Sequence, residues 1–268
     1  MLNFLGTLQR HFINCFFVEV EIVEFKYFNR IREILNEVEH KEDNSMGKAV
    51  DILVNTILNK KSIFVFGASH AGIITEELYY RAGGLVLINP IFAKSLMLDT
   101  SPITMTSNME RLVGYGETIC KNVPMKEGDI LIVHSVSGRN PVSIEIALEA
   151  KRRKVSVICI TNLEYSKTVT SRHPCGKNLY EVCDIVIDNH GDIGDACVEL
   201  DGLNQKVSPS STVIAVTIMN SIIAEVTQKL IDKGISKPPI FYSANIDGGD
   251  ELNRNIYNEY KDAIHYKY

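Results

Sequence analysis

The stretch His134-Ser-Val-Ser-Gly-Arg-Asn-Pro141, HSVSGRNP, lies between the apolar run DILIV of residues 129–133 and the helical pattern VSIEIALEAKRRK of residues 142–154. A short run rich in Val and Ile is typical of a buried strand, and Asn140 followed by Pro141 is a favoured start of a helix. The stretch is therefore predicted to be a loop that connects a strand to the N-terminus of a helix.

Four further short apolar runs resemble the one before this loop, and helical patterns occupy most of the gaps between the runs. They span residues 62–67, 84–89, 154–161 and 184–189. Runs that are apolar on both faces are what a parallel sheet covered by helices requires. The sequence therefore predicts an α/β three-layer sandwich with a five-stranded parallel sheet flanked by helices. A last long apolar helix is expected between Pro209 and Gly234, followed by a polar tail.

The N-terminal part of the chain is predicted to contain a helical hairpin between residues 29 and 58, where apolar residues recur at helical spacing in two groups. Before it, the pattern FFVEVEIVEF of residues 16–25 alternates like a strand, although nothing nearby would pair with it. Residues 1–26 are therefore expected to be an extension outside the core fold, and residues 27–268 a single domain.

Composition excludes several classes of protein. The 268-residue chain has 45% hydrophobic and 23% charged residues, a formal net charge of −5 and a pI near 5.8. These values favour an ordinary globular protein and lack the basic character of a nucleic-acid binder. Six cysteines without CxxC spacing indicate reduced thiols in a cytoplasm. No apolar run approaching a membrane span is evident, and Arg10 and Glu19 interrupt the N-terminal apolar stretch where a signal peptide would stay uncharged.

The loop has the chemistry of a phosphate site. Ser135 and Ser137 carry hydroxyl donors, Gly138 allows close approach of the backbone, and the positive end of the helix dipole would face the same point. The loop lacks the lysine and the glycine spacing of a nucleotide P-loop, and GASHAG of residues 67–72 is not GxGxxG. A small phosphorylated molecule, bound without a cofactor, therefore fits better than a nucleotide.

Several motifs together resemble the sugar isomerase (SIS) domain family. SVSGRN matches the family's phosphosugar loop, VFGASHAGIITEELYYRAGG resembles its first strand, glycine turn and helix, and SRHPCGKNLYEVCDIVID resembles the segment before its last strand. More narrowly, EELYYRAGGLV, SGRN and the tail SANIDGGDELN resemble a single-domain bacterial branch of this family that is often labelled phosphoheptose-isomerase-like. The resemblance implies a flavodoxin-like five-stranded parallel sheet, a homodimer or tetramer, and a phosphosugar site completed by a neighbouring subunit.

The resemblance also suggests catalytic residues for aldose–ketose isomerisation, which needs a base to move a proton between adjacent carbons. Glu76 and Glu77 are candidates, and Glu77 is favoured because EEL resembles the catalytic-helix motif of phosphoheptose isomerases. A surface ion pair with Arg81 explains Glu77 equally well. His70 is a candidate for a ring-opening acid or a hydroxyl ligand, or else a structural histidine. The last long helix lacks the histidine expected of phosphoheptose isomerases.

The residues expected to bind the phosphosugar come from three segments of the chain: Ser69; Ser135, Ser137, Gly138, Arg139 and Asn140; and Ser171, Arg172, His173 and Lys177. Simpler interpretations remain open for some of them. Asn140 could cap the helix, bind the ligand or do both, and Arg139 could be solvated. Residues 171–177 could be an exposed connection turned by Pro174 and Gly176.

Two other functions remain open. The layout MERLVGYGETI followed by GDILIVHSVSGRNP resembles the N-acetylmuramate-6-phosphate etherases, with Glu110 and Glu117 as possible counterparts of their glutamates. A nonenzymatic phosphosugar sensor is the other alternative, although the residues before the first strand are expected to be too few and too acidic for the basic helix-turn-helix domain that regulators of the family carry.

Two further features are weaker. A metal site from His173, Cys175 and His190 is not expected, because the spacing matches no standard zinc pattern. Asp247 and Asp250 of the tail could reach a partner's cleft or simply be solvated.

Overall fold

The computed structural model describes residues 24–268, so most of the strand-like alternation before residue 26 lies outside the described residues. The helices are α1 Lys26–Lys41, α2 Asp43–Leu58, α3 Ile73–Leu78, α4 Thr104–Glu110, α5 Tyr115–Cys120, α6 Pro141–Arg152, α7 Leu163–Thr168, α8 Ser211–Asp232 and α9 Gly249–Tyr260. The strands are β1 Ile63–Gly67, β2 Ile88–Pro90, β3 Ile130–His134, β4 Ser156–Thr161, β5 Ile185–Asp188, β6 Ala196–Val198 and β7 Val207–Pro209.

The central sheet has five parallel strands in the order β2-β1-β3-β4-β5, as the sequence predicts. β3 lies in the middle and pairs in register with β1, Gly67 opposite His134, and with β4, His134 opposite Ile160. All five strands therefore end at one edge, and the loop that follows β3 begins at the centre of that edge.

The sheet is buried on both faces because helices cover each of them. The even-numbered residues of β3, Ile130 and Ile132, pack with α1, α2, α3, α8 and α9, whereas Leu131 and Val133 pack with α4, α5 and α6. The predicted α/β three-layer sandwich is thus confirmed, and the helical hairpin predicted between residues 29 and 58 is formed by α1 and α2.

α8 corrects the expectation that no apolar run approaches the length of a membrane span. Within residues 24–268 it is the one helix long and apolar enough to pass for a membrane span, with a mean hydropathy of 1.3 over its most apolar window. It packs along α2 and α3 and buries Ile214, Ile218 and Ile222 in the core. Its apolar composition is therefore explained by its position between the sheet and the other helices of that face.

Three details differ from the sequence-based expectations. β2 is shorter than the run 84–89, because Leu85 forms an isolated antiparallel bridge with Ile240 instead. The chain after Gly234 was expected to be a polar tail, but it forms α9 and buries Ile256 and Tyr260 in the core. The antiparallel pair β6–β7 was not predicted at all.

Candidate functional site

The segment Ser135–Asn140 occupies the predicted position at the end of β3 and is fixed to the neighbouring strand. The hydroxyl of Thr161, the last residue of β4, donates to the carbonyl oxygens of Ser135 and Val136 at 2.8 and 3.0 Å. Thr161 is completely buried, whereas Ser135 and Ser137 remain partly exposed. The buried side chain of Thr161 therefore fixes the loop backbone, while the two serines remain accessible to solvent.

Gly138 must be a glycine at its position. Its φ is +60°, and a Cβ atom there would lie 3.0 Å from Ser166 Oγ and 3.3 Å from Leu179 Cβ. The carbonyl of Gly138 also accepts a hydrogen bond of 2.8 Å from the N–H of Leu179. The close approach of two other segments thus fixes the tight turn in the middle of the loop.

Asn140 precedes α6 as its N-cap residue, but its side chain makes no capping hydrogen bond. Its amide nitrogen instead donates to Glu110 Oε2 at 2.7 Å, and its amide oxygen accepts from Arg172 at 2.8 Å. The sequence left open whether this side chain caps the helix or faces a ligand. In the structure it joins three segments that meet at the sheet edge, and the capping interpretation is wrong.

Glu110, at the end of α4, was considered in the sequence only for a different enzyme class. Burial raises the pKa of its carboxyl above the ordinary value, and this effect exceeds the opposing influence of the Asn140 hydrogen bond and of the nearby Arg111, Arg172 and His70. His70 and Glu110 are thus brought together although 40 positions separate them in the chain.

Basic side chains gather beside Asn140. The backbone N–H of Arg172 donates to the carbonyl of Arg139 at 2.9 Å, and the guanidinium of Arg139 donates to the carbonyl of Thr170 at 3.0 Å. The pKa of Arg172 is lowered, first by partial desolvation and then by the like charges of Arg139 and Arg111. This accumulation of positive charge is suited to an anionic ligand.

The rest of the segment 171–177 is mainly held by its own contacts. Ser171 Oγ accepts a hydrogen bond of 3.1 Å from the N–H of His173, and His173 Nδ1 accepts one of 3.2 Å from the N–H of Cys175. Lys177 is exposed. The segment therefore combines both interpretations that the sequence left open, since Arg172 lies beside the loop while Ser171 and His173 shape the turn.

A buried carboxylate, Glu145 of α6, supports this region, and it was not singled out from the sequence. It is 2% exposed and accepts hydrogen bonds from the N–H groups of Gly114 and Gly116 at 2.6 and 2.7 Å. His173 Nε2 lies 3.7 Å from it. No local pattern indicates that this glutamate faces inward, because adjacent residues of a helix point about 100° apart.

The turn Ser69–Gly72 after β1 brings Ser69 and His70 to the same edge of the sheet. A Cβ atom on Gly67 would lie 2.2 Å from the carbonyl oxygen of Ala71. The turn can therefore pack against the end of β1 only because residue 67 has no side chain. Nδ1 of His134, at the end of β3, lies 3.0 Å from the same carbonyl. Ser69 is partly exposed and His70 is exposed.

The two candidate carboxylates of α3 point in different directions, as adjacent helix residues must. Glu77 forms an ion pair with Arg81 and lies 3.4 Å from the amide nitrogen of Asn220 on α8. Glu76 lines a small cleft together with Gly67 and Ser69. The structure thus contains the ion pair that was the simpler interpretation of Glu77, and a catalytic role for either residue stays a prediction.

The two histidines of the metal set that the sequence disfavoured have different surroundings. His190 Nε2 is 3.1 Å from Glu42, the residue between α1 and α2, whereas His173 lies beside Glu145. Among residues 24–268 no group of three or more potential ligands is arranged to hold a metal ion.

The chain matches proteins from several bacteria. It is 51% identical to a UPF0309 protein of Oceanobacillus iheyensis and 48% identical to one of Shouchella clausii, over 90% of this chain and 98% of each relative. A UPF0309 protein of Streptomyces coelicolor is 35% identical over 88% of this chain and 94% of its own length.

Solved structures with a similar fold include the phosphoheptose isomerases of Francisella tularensis and Neisseria gonorrhoeae. They are 15% and 14% identical to the chain, cover 76% of it and 95% and 96% of their own lengths, and have TM-scores of 0.49 and 0.48. The model of the SIS domain matches residues 26–162, which include the first four strands of the central sheet and the loop after β3. The chain therefore belongs to the SIS domain family.

Proposed function

We propose that the chain binds a phosphorylated sugar at the Ser135–Asn140 loop and isomerises it between its aldose and ketose forms. The observation that carries the proposal is the position of this loop. It follows the central strand, leaves Ser135 and Ser137 partly exposed, and leads into α6, whose first N–H groups receive no bond from the Asn140 side chain. Such N–H groups and hydroxyls are ready donors for phosphate oxygens.

Charge around the loop supports the same ligand. Arg139 and Arg172 lie beside each other at its end, and a phosphate would relieve their repulsion. The polar side chains of His70 and Glu110 lie next to them and could engage the sugar part of the molecule. We propose Ser69, Ser171, His173 and Lys177 as the outer part of the same site, and Glu77, Glu76 and His70 remain the candidates for catalysis taken from the sequence.

Binding is tested by thermal-shift measurements with ribose 5-phosphate, glucose 6-phosphate and sedoheptulose 7-phosphate, and with their unphosphorylated parents. A ligand at 100 times its Kd adds about 2.7 kcal/mol to stability, so a phosphate-dependent rise in Tm is expected. Replacing Ser135 and Ser137 together by Ala should remove charge-assisted bonds worth roughly 1.5 to 3 kcal/mol each. Ser221→Ala, on an exposed position of α8, is the matched control. Unchanged affinity of the double variant would contradict the site.

A second function is favoured by the contact between Glu110 and Asn140 of the loop, since Glu110 is the counterpart that the etherase resemblance suggests for one of the etherase glutamates. Such an enzyme would release lactate from N-acetylmuramate 6-phosphate, and a sensor would bind a sugar phosphate without altering it. Lactate assays and product analysis with the same protein separate the three functions.

The proposal also includes a cytoplasmic homodimer or tetramer without a cofactor, and residues 27–268 as its single domain after an N-terminal extension. Light scattering coupled to size exclusion measures the oligomeric state. A monomer at all concentrations would contradict that part of the proposal.

A further inference from the structure

Glu110 is the acidic side chain that touches the proposed phosphate loop directly. Its Oε2 accepts the hydrogen bond of 2.7 Å from Asn140, which immediately precedes α6. Among residues 24–268, only Asn140 donates a hydrogen bond to this carboxylate. Oε1 is therefore available to another partner. The charges of Arg111 and Arg172 lie close by. The Glu110 carboxylate is therefore separated from a ligand on the loop only by the side chain of Asn140.

Three other glutamates near this edge differ from Glu110 in their contacts. Glu77 is paired with Arg81. Both oxygens of Glu145 accept hydrogen bonds from the N–H groups of Gly114 and Gly116. Glu76 is exposed on α3 and lines a cleft with Gly67 and Ser69. Glu110 alone among these four combines partial burial, a free oxygen and a contact to the loop.

We propose that Glu110 is the residue that transfers the proton in the isomerisation proposed above, on which this inference rests. Its carboxylate removes the proton from the carbon beside the carbonyl, and the electron pair of that C–H bond forms the double bond of an enediol while the carbonyl oxygen takes up a proton. Glu110 then returns the proton to the former carbonyl carbon, the neighbouring hydroxyl gives up its own proton, and the carbonyl forms at the adjacent position. No oxidant, reductant or metal is needed for this balance.

Asn140 acts as a positioning residue for this group. Its amide nitrogen donates to the carboxylate and favours the ionised form, which is the form that can accept a proton. Arg172 donates to the amide oxygen and so fixes the orientation of the amide. His70, on the turn after β1, lies near Glu110 and is the candidate to protonate the carbonyl oxygen.

The first measurement uses the unmodified protein with ribose 5-phosphate, glucose 6-phosphate and sedoheptulose 7-phosphate in D2O. Calorimetry detects binding, and NMR detects deuterium at the carbon beside the carbonyl, since a base exchanges its proton with solvent between abstraction and return. Binding with exchange is expected. The absence of binding would overturn the proposed function itself, whereas binding without exchange would leave phosphosugar recognition intact and overturn the role of Glu110.

The second measurement compares Glu110→Gln with Glu127→Gln, an exposed carboxylate at the opposite edge of the sheet. We expect Glu110→Gln to bind the same sugar phosphate and to lose exchange by about 10²- to 10⁴-fold, the usual contribution of a general base. Glu127→Gln should exchange normally. If Glu110→Gln lowers Tm, Glu110→Asp keeps the charge, shortens the side chain and should still slow exchange. Exchange within about threefold of the unmodified protein in either variant, or exchange that depends on Glu77 alone, would overturn the inference.

A pH profile distinguishes a proton-transfer role from a structural one. The groups that face Glu110 are Arg111 on its own segment, Arg172 and Asn140 at the loop, and His70 on the turn after β1. Asn140→Ala removes the donor that favours the carboxylate, so the acid limb of kcat/KM should move to higher pH. An acid limb that stays at the same pH in Asn140→Ala would contradict the assignment.

Discussion

His134 Nδ1 lies 3.0 Å from the carbonyl oxygen of Ala71, and this contact ties the end of the central strand to the turn that carries His70. The His134 ring is completely buried, and its Nε2 has no hydrogen-bond partner among the residues that the structure describes. Nδ1 must therefore carry the proton that it donates to Ala71, and Nε2 is an unprotonated acceptor inside the core. The turn of the candidate site thus depends on a histidine that stays neutral.

This arrangement predicts a specific loss of stability on acidification. Burial lowers the pKa of His134 to about 4, and backbone and charge effects oppose burial only partly. The unfolded chain takes up a proton near pH 6.5 and the folded one only near pH 4, so the contribution of this residue to stability is present above pH 6.5 and lost as the pH falls toward 4. Between pH 7 and pH 5 the free energy of unfolding should fall by about 2 kcal/mol through this residue.

The measurement is urea denaturation at both pH values, for the unmodified protein and for His134→Gln. Glutamine can donate to Ala71 and does not titrate, so the difference between the two proteins isolates the histidine. A pH dependence that is identical in both proteins would contradict the prediction.

Gly138 offers a test of loop geometry with an internal control. Gly138→Ala places a Cβ atom 3.0 Å from Ser166 Oγ at a φ of +60°, whereas Gly176→Ala has a φ of +73° and nothing within 4 Å. The left-handed backbone alone costs roughly 1–2 kcal/mol. We expect Gly176→Ala to lose about that much stability and to keep phosphosugar binding, and Gly138→Ala to lose more stability and to lose binding. Equal effects of the two substitutions on both properties would show that the contacts of Gly138 do not matter.

Glu145 is predicted to stabilise the start of α5 rather than to act on a ligand. Its two oxygens each accept one backbone N–H, from Gly114 and Gly116, and glutamine can accept only one of these bonds. Glu145→Gln should therefore lower the free energy of unfolding by about 1–3 kcal/mol. The exposed Glu164→Gln should stay within about 0.5 kcal/mol. Chemical denaturation checks both, and an unchanged stability of Glu145→Gln would contradict the role.

The fold could be predicted largely from the sequence because each strand of the central sheet lies in a separate short apolar run bounded by polar residues. The loop after β3 was found for the same reason, since Asn140 and Pro141 mark the start of a helix directly after an apolar run. Both signals are local. The chain after Gly234 was misjudged because the apolar side chains of α9 are sparse and acquire their partners only from distant parts of the chain.

The interior of the site could not be predicted in the same way, because its contacts connect residues far apart in sequence. Glu110 and Asn140 are 30 positions apart, and Asn140 and Arg172 are 32 apart. No spacing rule relates such pairs. For Asn140, the partners of its amide group show that the side chain does not cap α6, whereas contact with a ligand stays a prediction. Glu145 is identifiable only from its burial.

Arg172 is predicted to contribute to phosphosugar affinity through its charge. It lies beside the loop, and its guanidinium donates a hydrogen bond to Asn140. Partial desolvation and then the like charges of Arg139 and Arg111 lower its pKa, and a bound anion would offset the repulsion among these charges. Arg172→Gln should weaken binding of a sugar phosphate by roughly 1.5–3 kcal/mol, which is about 10- to 100-fold, and should flatten the dependence of the affinity on salt. Arg152→Gln, at an exposed arginine at the far end of α6, is the control and should leave affinity unchanged. Calorimetry at two salt concentrations makes the measurement, and a salt dependence as steep in Arg172→Gln as in the control would show that the guanidinium does not face the phosphate.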